Sequence, residues 1–483
     1  MGGGAGSGGA DAAVREAAAR AARDPRRPAC HFRPAAGWMN DPNGTIFHGG
    51  RYHLFFQHHP YGDAWGSVHW GHAASPDLVR WECLPVALAP ARELGEDHCF
   101  SGCAWRPPDG PPLLFYSSVR GDAVDFRAEQ WVVRCDDALS RFARWEGNPV
   151  LPAGGGAAGP RLGEQARDPF VFEREGRLLL ALAADLADEG GAPAVALFEA
   201  PGGDPFAWEY RGLLERGRPG DRYIECPNVL RLAGRDVLVT SPHGPVTWRS
   251  GRLDPDAGRF AEEARGLVDA SPDFYATSVF AHAPGSDPVV VGWARGWKPG
   301  AGWNGALAFP RRLAAGPDGR PRQRPHEAVA SLREGPGSGP EEIAPEPGGE
   351  ARPLGPPARQ LEVEARVEGD GEAGVRLRDG SGAPVAEVLL APARREAIVR
   401  GPGTEPLRVA LPGDAPREGS GLRLFWDRSL LEVFLEDGRA ACTRVFDAAS
   451  GGPVEPCGVA ADRPARLAGV RTWPLRPVWP DAG

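Results

Sequence analysis

From residue 31 onward, short apolar and aromatic runs alternate with clusters of Gly, Pro, Asp and Asn. Arg51 to Gln57, Leu113 to Ser117, Trp131 to Cys135, Leu178 to Ala183, Val237 to Thr240 and Val289 to Trp293 are of strand length, with turn residues on either side. Runs of this kind predict strands and an all-β fold, and sustained helical periodicity is absent. Between about Ala314 and Arg359 the runs give way to Pro- and Gly-rich sequence that reads as a linker, with a short helix near His326 to Leu332. Alternation with period two then returns in Leu361 to Val367, Val375 to Leu377, Val385 to Leu390, Leu422 to Trp426 and Leu431 to Leu435, with Asp437-Gly438 as a hairpin turn. One polar and one apolar face per strand predicts a second all-β domain, a β-sandwich. Before residue 31, Gly2 to Gly9 reads as a flexible tract and Asp11 to Arg23 as a short Ala-rich helix.

The unusual motifs are regularly spaced. Asp41, Phe100-Ser101-Gly102, Arg167-Asp168-Pro169, Glu225-Cys226-Pro227 and Asp273-Phe274-Tyr275 lie roughly 50 to 67 residues apart, long enough for one four-stranded blade with its loops. Five such motifs predict a five-bladed β-propeller in which one polar motif per blade faces a common channel. The expected organisation is a disordered and helical extension over 1–27, a propeller over 28–313, a linker over 314–358, a sandwich over 359–476 and a tail over 477–483.

Composition narrows the partners. A chain of 483 residues is too long for one small core, which agrees with two domains. The net charge is −9 with no block of Lys or Arg, which excludes nucleic acid and anionic membrane as expected partners. Eight Cys without a Cys-x-x-Cys pair argue for buried free thiols in a reducing compartment, against a disulfide framework or a zinc site. No leader-like segment and no apolar run of membrane-spanning length is seen, so a cytoplasmic monomer or homodimer is expected.

The candidate chemistry centres on carboxylates. Asp41-Pro42-Asn43-Gly44 carries a type I turn signature, and Trp38, Met39 and Asn40 precede it. An acid held beside an amide and an indole is a candidate nucleophile. Retaining hydrolysis of a glycosidic bond needs one ionised carboxylate and one protonated carboxyl. Glu225, between Ile224 and Cys226, is the candidate acid, since burial would raise its pKa. Asp168, beside Arg167, suits a permanent anion that holds sugar hydroxyls. Each has a plainer reading: Asp-Pro occurs six times and usually marks a turn, Arg167-Asp168 could be an ion pair at a strand end, and Glu225 could be a solvated turn residue. Their joint spacing and aromatic surroundings favour a site. Six His between 48 and 72 raise the question of a metal, but no His-Glu-x-x-His is present and no third ligand accompanies His69 and His72. Packing and sugar hydrogen bonding are the expected roles, with no metal and no cofactor.

These motifs resemble those of glycoside hydrolase family 32, the β-fructofuranosidases. The resemblance runs through His31-Phe32-Arg33-Pro34, Trp38 to Gly44, Tyr52 to Gln57, Trp65-Gly66, His69-Trp70-Gly71-His72, Ser75 to Trp81, Phe100-Ser101-Gly102, Arg167-Asp168-Pro169, Glu225-Cys226-Pro227 and Asp273 to Ala276. It ends at Trp426 to Phe434 and Asp437-Gly438. It implies a five-bladed propeller with a sandwich, Asp41 as nucleophile, Glu225 as acid/base and Asp168 as transition-state stabiliser. It further implies a fructose subsite formed by Asn40, Gln57, Trp65, Phe100, Ser101, Arg167, Tyr275 and Trp293. The chain departs from the family pattern at Ala166, where Phe is frequent, at Asn228, where Asp is common, at Ser271 in place of Gly, and at Arg312 in place of Glu. The expected activity is release of terminal β-fructofuranosyl units from sucrose, sucrose 6-phosphate or a fructan. The alternatives are a fructosyltransferase using the same site and a catalytically silent fructoside-binding propeller.

Overall fold

The computed structural model describes residues 5–156, 159–411 and 419–479. After a helix α1 (Ala5–Ala21), five antiparallel meanders of four principal strands follow one another. They are β1 to β4 (Gly37–His48, Arg51–His59, His69–Ser75, Glu82–Leu88), β5 to β8 (His98–Trp105, Leu113–Gly121, Phe126–Cys135, Phe142–Arg144), β9 to β12 (Arg167–Arg174, Arg177–Leu186, Ala192–Glu199, Glu209–Arg216) and β13 to β16 (Glu225–Leu232, Arg235–Ser241, Thr247–Asp254, Arg259–Leu267). In the fifth, β17 (Phe274–Val279) and β18 (Val289–Ala294) are followed by the two-residue strands β19 (Trp303–Asn304) and β20 (Ala306–Leu307), then by β21 (Arg311–Ala315) and β22 (Pro321–Pro325). The third and fourth meanders touch at their outer strands through a single parallel pairing, Leu213 with Arg259. β19 leaves the fifth meander to pair in parallel with β1.

Turn chemistry sets the register. β1 to β2 turns at Gly49-Gly50, β9 to β10 at Glu175-Gly176 and β13 to β14 at Ala233-Gly234, and both residues of every pair have positive φ. This is the type I′ geometry that matches strand twist and fixes which residues face each other. Packing then joins the meanders in sequence. One apolar layer lies between the first and second (Phe55 and Trp70 with Tyr116 and Trp131), and another between the second and third (Phe115 and Val132 with Leu180 and Ala194). A third joins the third and fourth meanders (Leu197 with Val229 and Leu238), and a fourth joins the fourth and fifth (Val237 and Trp248 with Phe274 and Val290). A fifth joins the fifth back to the first (Phe280 and Val291 with Leu54 and Phe56).

The remaining chain forms two six-stranded antiparallel sheets. One has the order β23-β34-β25-β30-β31-β32, from Glu342–Ile343, Arg466–Pro474, Gln360–Glu368, Ser420–Asp427, Leu430–Leu435 and Ala440–Val445. The other is β24-β33-β26-β27-β28-β29, from Arg352–Pro353, Glu455–Ala460, Ala373–Arg378, Pro384–Ala391, Glu396–Arg400 and Leu407–Ala410. Alternate residues of both, among them Val363, Val375, Val388, Leu424, Trp426 and Val433, bury one shared core.

Four local expectations change. Asp41 to Gly44 is no isolated turn: it lies inside β1, which carries two bulges. Helix α1 begins at Ala5 and so takes up most of the tract expected to be flexible, while residues 1–4 lie outside the described chain. It is held by docking, with Ala10 and Ala21 fully buried and the Asp11 carboxylate accepting the Val86 N–H of β4. The stretch expected as a linker holds the expected short helix, a 3-10 helix over Glu327–Leu332, but also contributes β22 to the fifth meander and the edge strands β23 and β24. Of the expected tail, the Val478 and Trp479 amides donate to Ala29, and residues 480–483 lie outside the described chain.

Candidate active site

The first strands of the five meanders share one irregularity. In each, two residues face a single residue of the neighbouring strand, which defines a β-bulge. The doubled residues are Asn40-Asp41 in β1, Phe100-Ser101 in β5, Asp168-Pro169 in β9, Cys226-Pro227 in β13 and Ala276-Thr277 in β17. Asp168, Cys226 and Ala276 adopt positive φ, a conformation that non-glycine residues seldom accept and that re-aims the chain locally. The same five strands line a small cavity beneath the bulges, among Asn43, Ser101, Asp168, Cys226 and Thr277. They also line a wider one, about 340 Å³, beyond it. The motifs spaced along the sequence are therefore neighbours in space.

Hydrogen bonds from four residues fix Asp41. The Trp38 indole donates to Asn40 Oδ1 (2.9 Å), and Asn40 Nδ2 donates to Asp41 Oδ1 (3.0 Å) and to Gln57 Oε1 (2.7 Å). Gln57 Nε2 donates to Ser101 Oγ (2.5 Å), whose hydroxyl donates to Asp41 Oδ2 (2.6 Å). Cys226 connects two carboxylates: its thiol lies 3.5 Å from Asp41 Oδ2 and 3.6 Å from Asp168 Oδ2, and its N–H donates to Asp168 Oδ2 at 3.0 Å. Glu225 is the preceding residue. Its Oε1 accepts from Arg167 Nη2 (2.8 Å) and its Oε2 from the Tyr275 hydroxyl (2.6 Å).

Protonation departs from the sequence-based expectation at two of the three acids. Glu225 is not kept protonated by burial: burial does oppose its charge, but the hydrogen bond from His243, the Arg167 guanidinium and the Tyr275 hydroxyl overcome it and hold the carboxyl down at about 2. Asp168 is not a permanent anion. Burial, opposed by Arg167 and reinforced by the Glu225 and Asp41 charges, pushes it up to about 7. The physical reason is burial at Asp168, which outweighs the nearby Arg167 charge, and at Glu225 the combined His243 and Arg167 contacts, Arg167 turning from its sequence neighbour to Glu225 in the next meander. Asp41 is also raised by burial, with the Ser101 bond opposing and the Glu225 charge adding to the effect.

The other expected residues are placed as follows. Trp65 is 37 % exposed and packs on His98, with Phe100 edge-on to it; Phe100 meets Phe126, over which the Arg167 guanidinium lies. Tyr275 faces Trp293 across β17 and β18, and Trp293 packs edge-on against Trp38. Asp273 points away from the carboxylates, to Arg444 and the Val445 N–H. Asn228 donates to the carbonyls of Cys226 and Thr277 and accepts the Val279 N–H, so its amide ties the β13 bulge to β17.

Sequence reasoning missed His243. It lies in Ser241-Pro242-His243-Gly244, a turn-like stretch, and its Nε2 sits 3.0 Å from Glu225 Oε2. It also missed Tyr223, whose ring carries the Arg167 guanidinium at 3.9 Å. Among the described residues no group of three or more His, Cys, Asp or Glu is arranged to hold a metal ion.

Residues 31–325 match the Glycosyl hydrolases family 32 N-terminal domain. The chain is 31 % identical over 330 residues to the sucrose-6-phosphate hydrolase of Escherichia coli, covering 64 % of this chain and 66 % of that protein. It is 31 % identical over 323 residues to the levanase of Bacillus subtilis, covering 59 % of this chain and 44 % of that protein. The matched stretch thus spans less than two thirds of the length of these curated relatives. Among solved structures, a Bombyx mori GH32 beta-fructofuranosidase mutant in complex with sucrose superposes with a TM-score of 0.81 at 26 % identity, over 98 % of this chain and 99 % of that one. Fructan 1-exohydrolase IIa of Cichorium intybus has the same fold, with a TM-score of 0.81 at 20 % identity over 94 % and 98 % of the two chains.

Proposed function

This chain belongs to glycosyl hydrolase family 32, and from that membership and the carboxylate geometry we infer that it is a retaining β-fructofuranosidase. The observation that carries the reading is the convergence of Asp41, Asp168 and Glu225 around Cys226. Asp41 attacks C2 of a terminal β-fructofuranosyl unit, and Glu225 protonates the departing oxygen. Asp168 holds sugar hydroxyls and offsets the oxocarbenium charge. Water deprotonated by Glu225 then frees fructose from the Asp41 ester. Because Arg167, Tyr275 and His243 keep Glu225 ionised in the unliganded site, the acid step needs a proton delivered when substrate is seated. Asn40, Gln57 and Ser101 hold the fructosyl ring next to Asp41. Trp65, Phe100, Arg167, Tyr275 and Trp293 complete the subsite. The reading requires neither metal nor cofactor.

The architecture that serves this chemistry is a five-bladed propeller followed by a sandwich. The five consecutive meanders, the apolar layer joining the fifth to the first, and the two six-stranded sheets around one core support it. The catalytic domain extends over about 28–325, so that β22 closes its last blade. Eight free thiols support a reducing, cytoplasmic setting.

The test is fructose release from sucrose, sucrose 6-phosphate, inulin and levan, with Asp41→Asn and Glu225→Gln as controls. Wild-type release is expected, with a loss on the order of 10⁴-fold in Asp41→Asn and about 10²- to 10⁴-fold in Glu225→Gln. Undiminished turnover in either variant would refute the assignment. Transfer to a sugar acceptor in place of water would show as oligosaccharide products with little free fructose. Binding without turnover would identify a silent module.

A further inference from the structure

Glu225 has three side-chain partners, and they differ in what they can do with a proton. Arg167 is 9 % exposed and does not release a proton in proteins. Tyr275 is buried, and burial with the Glu225 charge pushes its phenol far above the ordinary range, so it donates a hydrogen bond but not its proton. The His243 side chain is 50 % exposed and contacts the same oxygen, Oε2, from the solvent side. An imidazole is the side chain that exchanges protons with both water and a carboxylate near neutrality. Its backbone is anchored independently of its ring: the N–H donates to the Tyr275 hydroxyl at 3.1 Å, Arg222 Nη1 donates to the carbonyl at 2.8 Å, and φ is +48°. The ring lies edge-on to Tyr223 and Tyr275. The titratable and charged groups around it are therefore Glu225, Tyr275, Tyr223 and Arg222, with Arg167 and Asp168 behind Glu225.

Resting on the glycosidase reading above, we propose that His243 is the positioning residue that loads Glu225 with its proton. When the leaving group is seated, the Nε2–H bond of the imidazolium breaks, its electron pair stays on nitrogen, and an O–H bond forms at Glu225 Oε2. Glu225 passes that proton to the glycosidic oxygen. In the second half-reaction the proton removed from water returns through Glu225 to His243, so the cycle is balanced by water alone. His243 takes no part in the attack at C2.

Leaving-group dependence tests this on the full-length protein. Sucrose needs its departing oxygen protonated, whereas an aryl β-fructofuranoside with a p-nitrophenolate leaving group does not. Wild-type turnover of both is required, and its absence would overturn the glycosidase reading along with this one. In His243→Gln and His243→Ala, kcat on sucrose is expected to fall about 10²-fold, turnover of the aryl substrate to stay near wild type, and the descending limb of kcat/KM on sucrose to move to lower pH. Added imidazole is expected to restore part of the sucrose activity of His243→Ala. Equal losses on both substrates would mark a purely structural role, and unchanged sucrose activity with an unmoved pH profile would likewise overturn the proposal.

Discussion

Arg167 lies next to Asp168 in sequence but gives its guanidinium to Glu225, where it joins His243 in favouring the charged carboxylate against burial. The fork satisfies Glu225 Oε1 through both Nε and Nη2, a geometry that favours the ionised carboxylate. Asp168 is left with the Cys226 N–H and thiol as donors and with two acidic neighbours. An anion at 168 is what an oxocarbenium transition state needs. The ascending limb of kcat/KM is therefore expected above the ordinary carboxylate range and toward pH 7. In the enzyme–substrate complex, sugar hydroxyls donating to Asp168 should bring the corresponding limb of kcat to lower pH. Asp168→Asn should lower activity and remove that ascending limb, which pH profiles of kcat and kcat/KM will show. The three carboxylates were legible in the sequence as residues, from their spacing and company. Their protonation was not, because it depends on a contact between meanders. His243 was hidden for the same reason: Ser-Pro-His-Gly reads as a turn until folding brings it to Glu225.

At the scale of the element, the strand pattern was plain because the second strands of the meanders are buried on both faces and turn residues bracket them. The bulges were not plain, since Asp-Pro-Asn-Gly looks the same whether it reverses the chain or widens a strand by one residue. Glycine marks one of them from within. At Gly102, just past the β5 bulge, a Cβ would lie 1.9 Å from the Phe115 carbonyl oxygen and 2.7 Å from the Tyr116 Cα, both backbone atoms that have little room to yield. Gly102→Ala should therefore force β5 and β6 apart beside Ser101. A destabilisation of about 1–3 kcal/mol is expected from the overpacking, together with a fall in kcat as the Ser101 hydroxyl leaves Asp41 Oδ2. Denaturant titration and steady-state kinetics on the same preparation will check both. The stretch 314–358 misled for a related reason: Pro and Gly suppress the apolar pattern, yet β22, β23 and β24 are short strands recognised by their partners and not by their own composition.

At the scale of the molecule, the five meanders and the two six-stranded sheets meet across a buried ionic cluster. His31 bridges Asp427 (2.8 Å) and Glu432 (3.0 Å), while Arg311 bridges Glu432 and Asp269, each at 2.9 Å. Asp427 also accepts the amides of Ala29, Cys30 and His31. Burial lowers the pKa of His31, but Asp427 and Glu432 more than compensate and raise it to about 9. The stability this adds is complete below about pH 6.5, the unfolded value, and is lost as pH rises through about 9. Asp427 and Glu432 are lowered despite burial by their bonds to His31, with Arg311 also acting on Glu432. Their contribution is present above about pH 4 and is lost as pH falls below it. The melting temperature should accordingly fall on both sides of a plateau, and His31→Gln should flatten the alkaline side. Asp427→Asn should cost about 3–5 kcal/mol, because it leaves buried partners uncompensated. Thermal melts across pH 3 to 10 will measure both.

The placement of α1 bears on how these molecules behave in a crowd. β4 ends its sheet, and an end strand presents amide and carbonyl groups to any other chain that comes alongside. By docking on β4 and taking the Val86 amide with the Asp11 side chain, the helix works as a stopper against sheet extension.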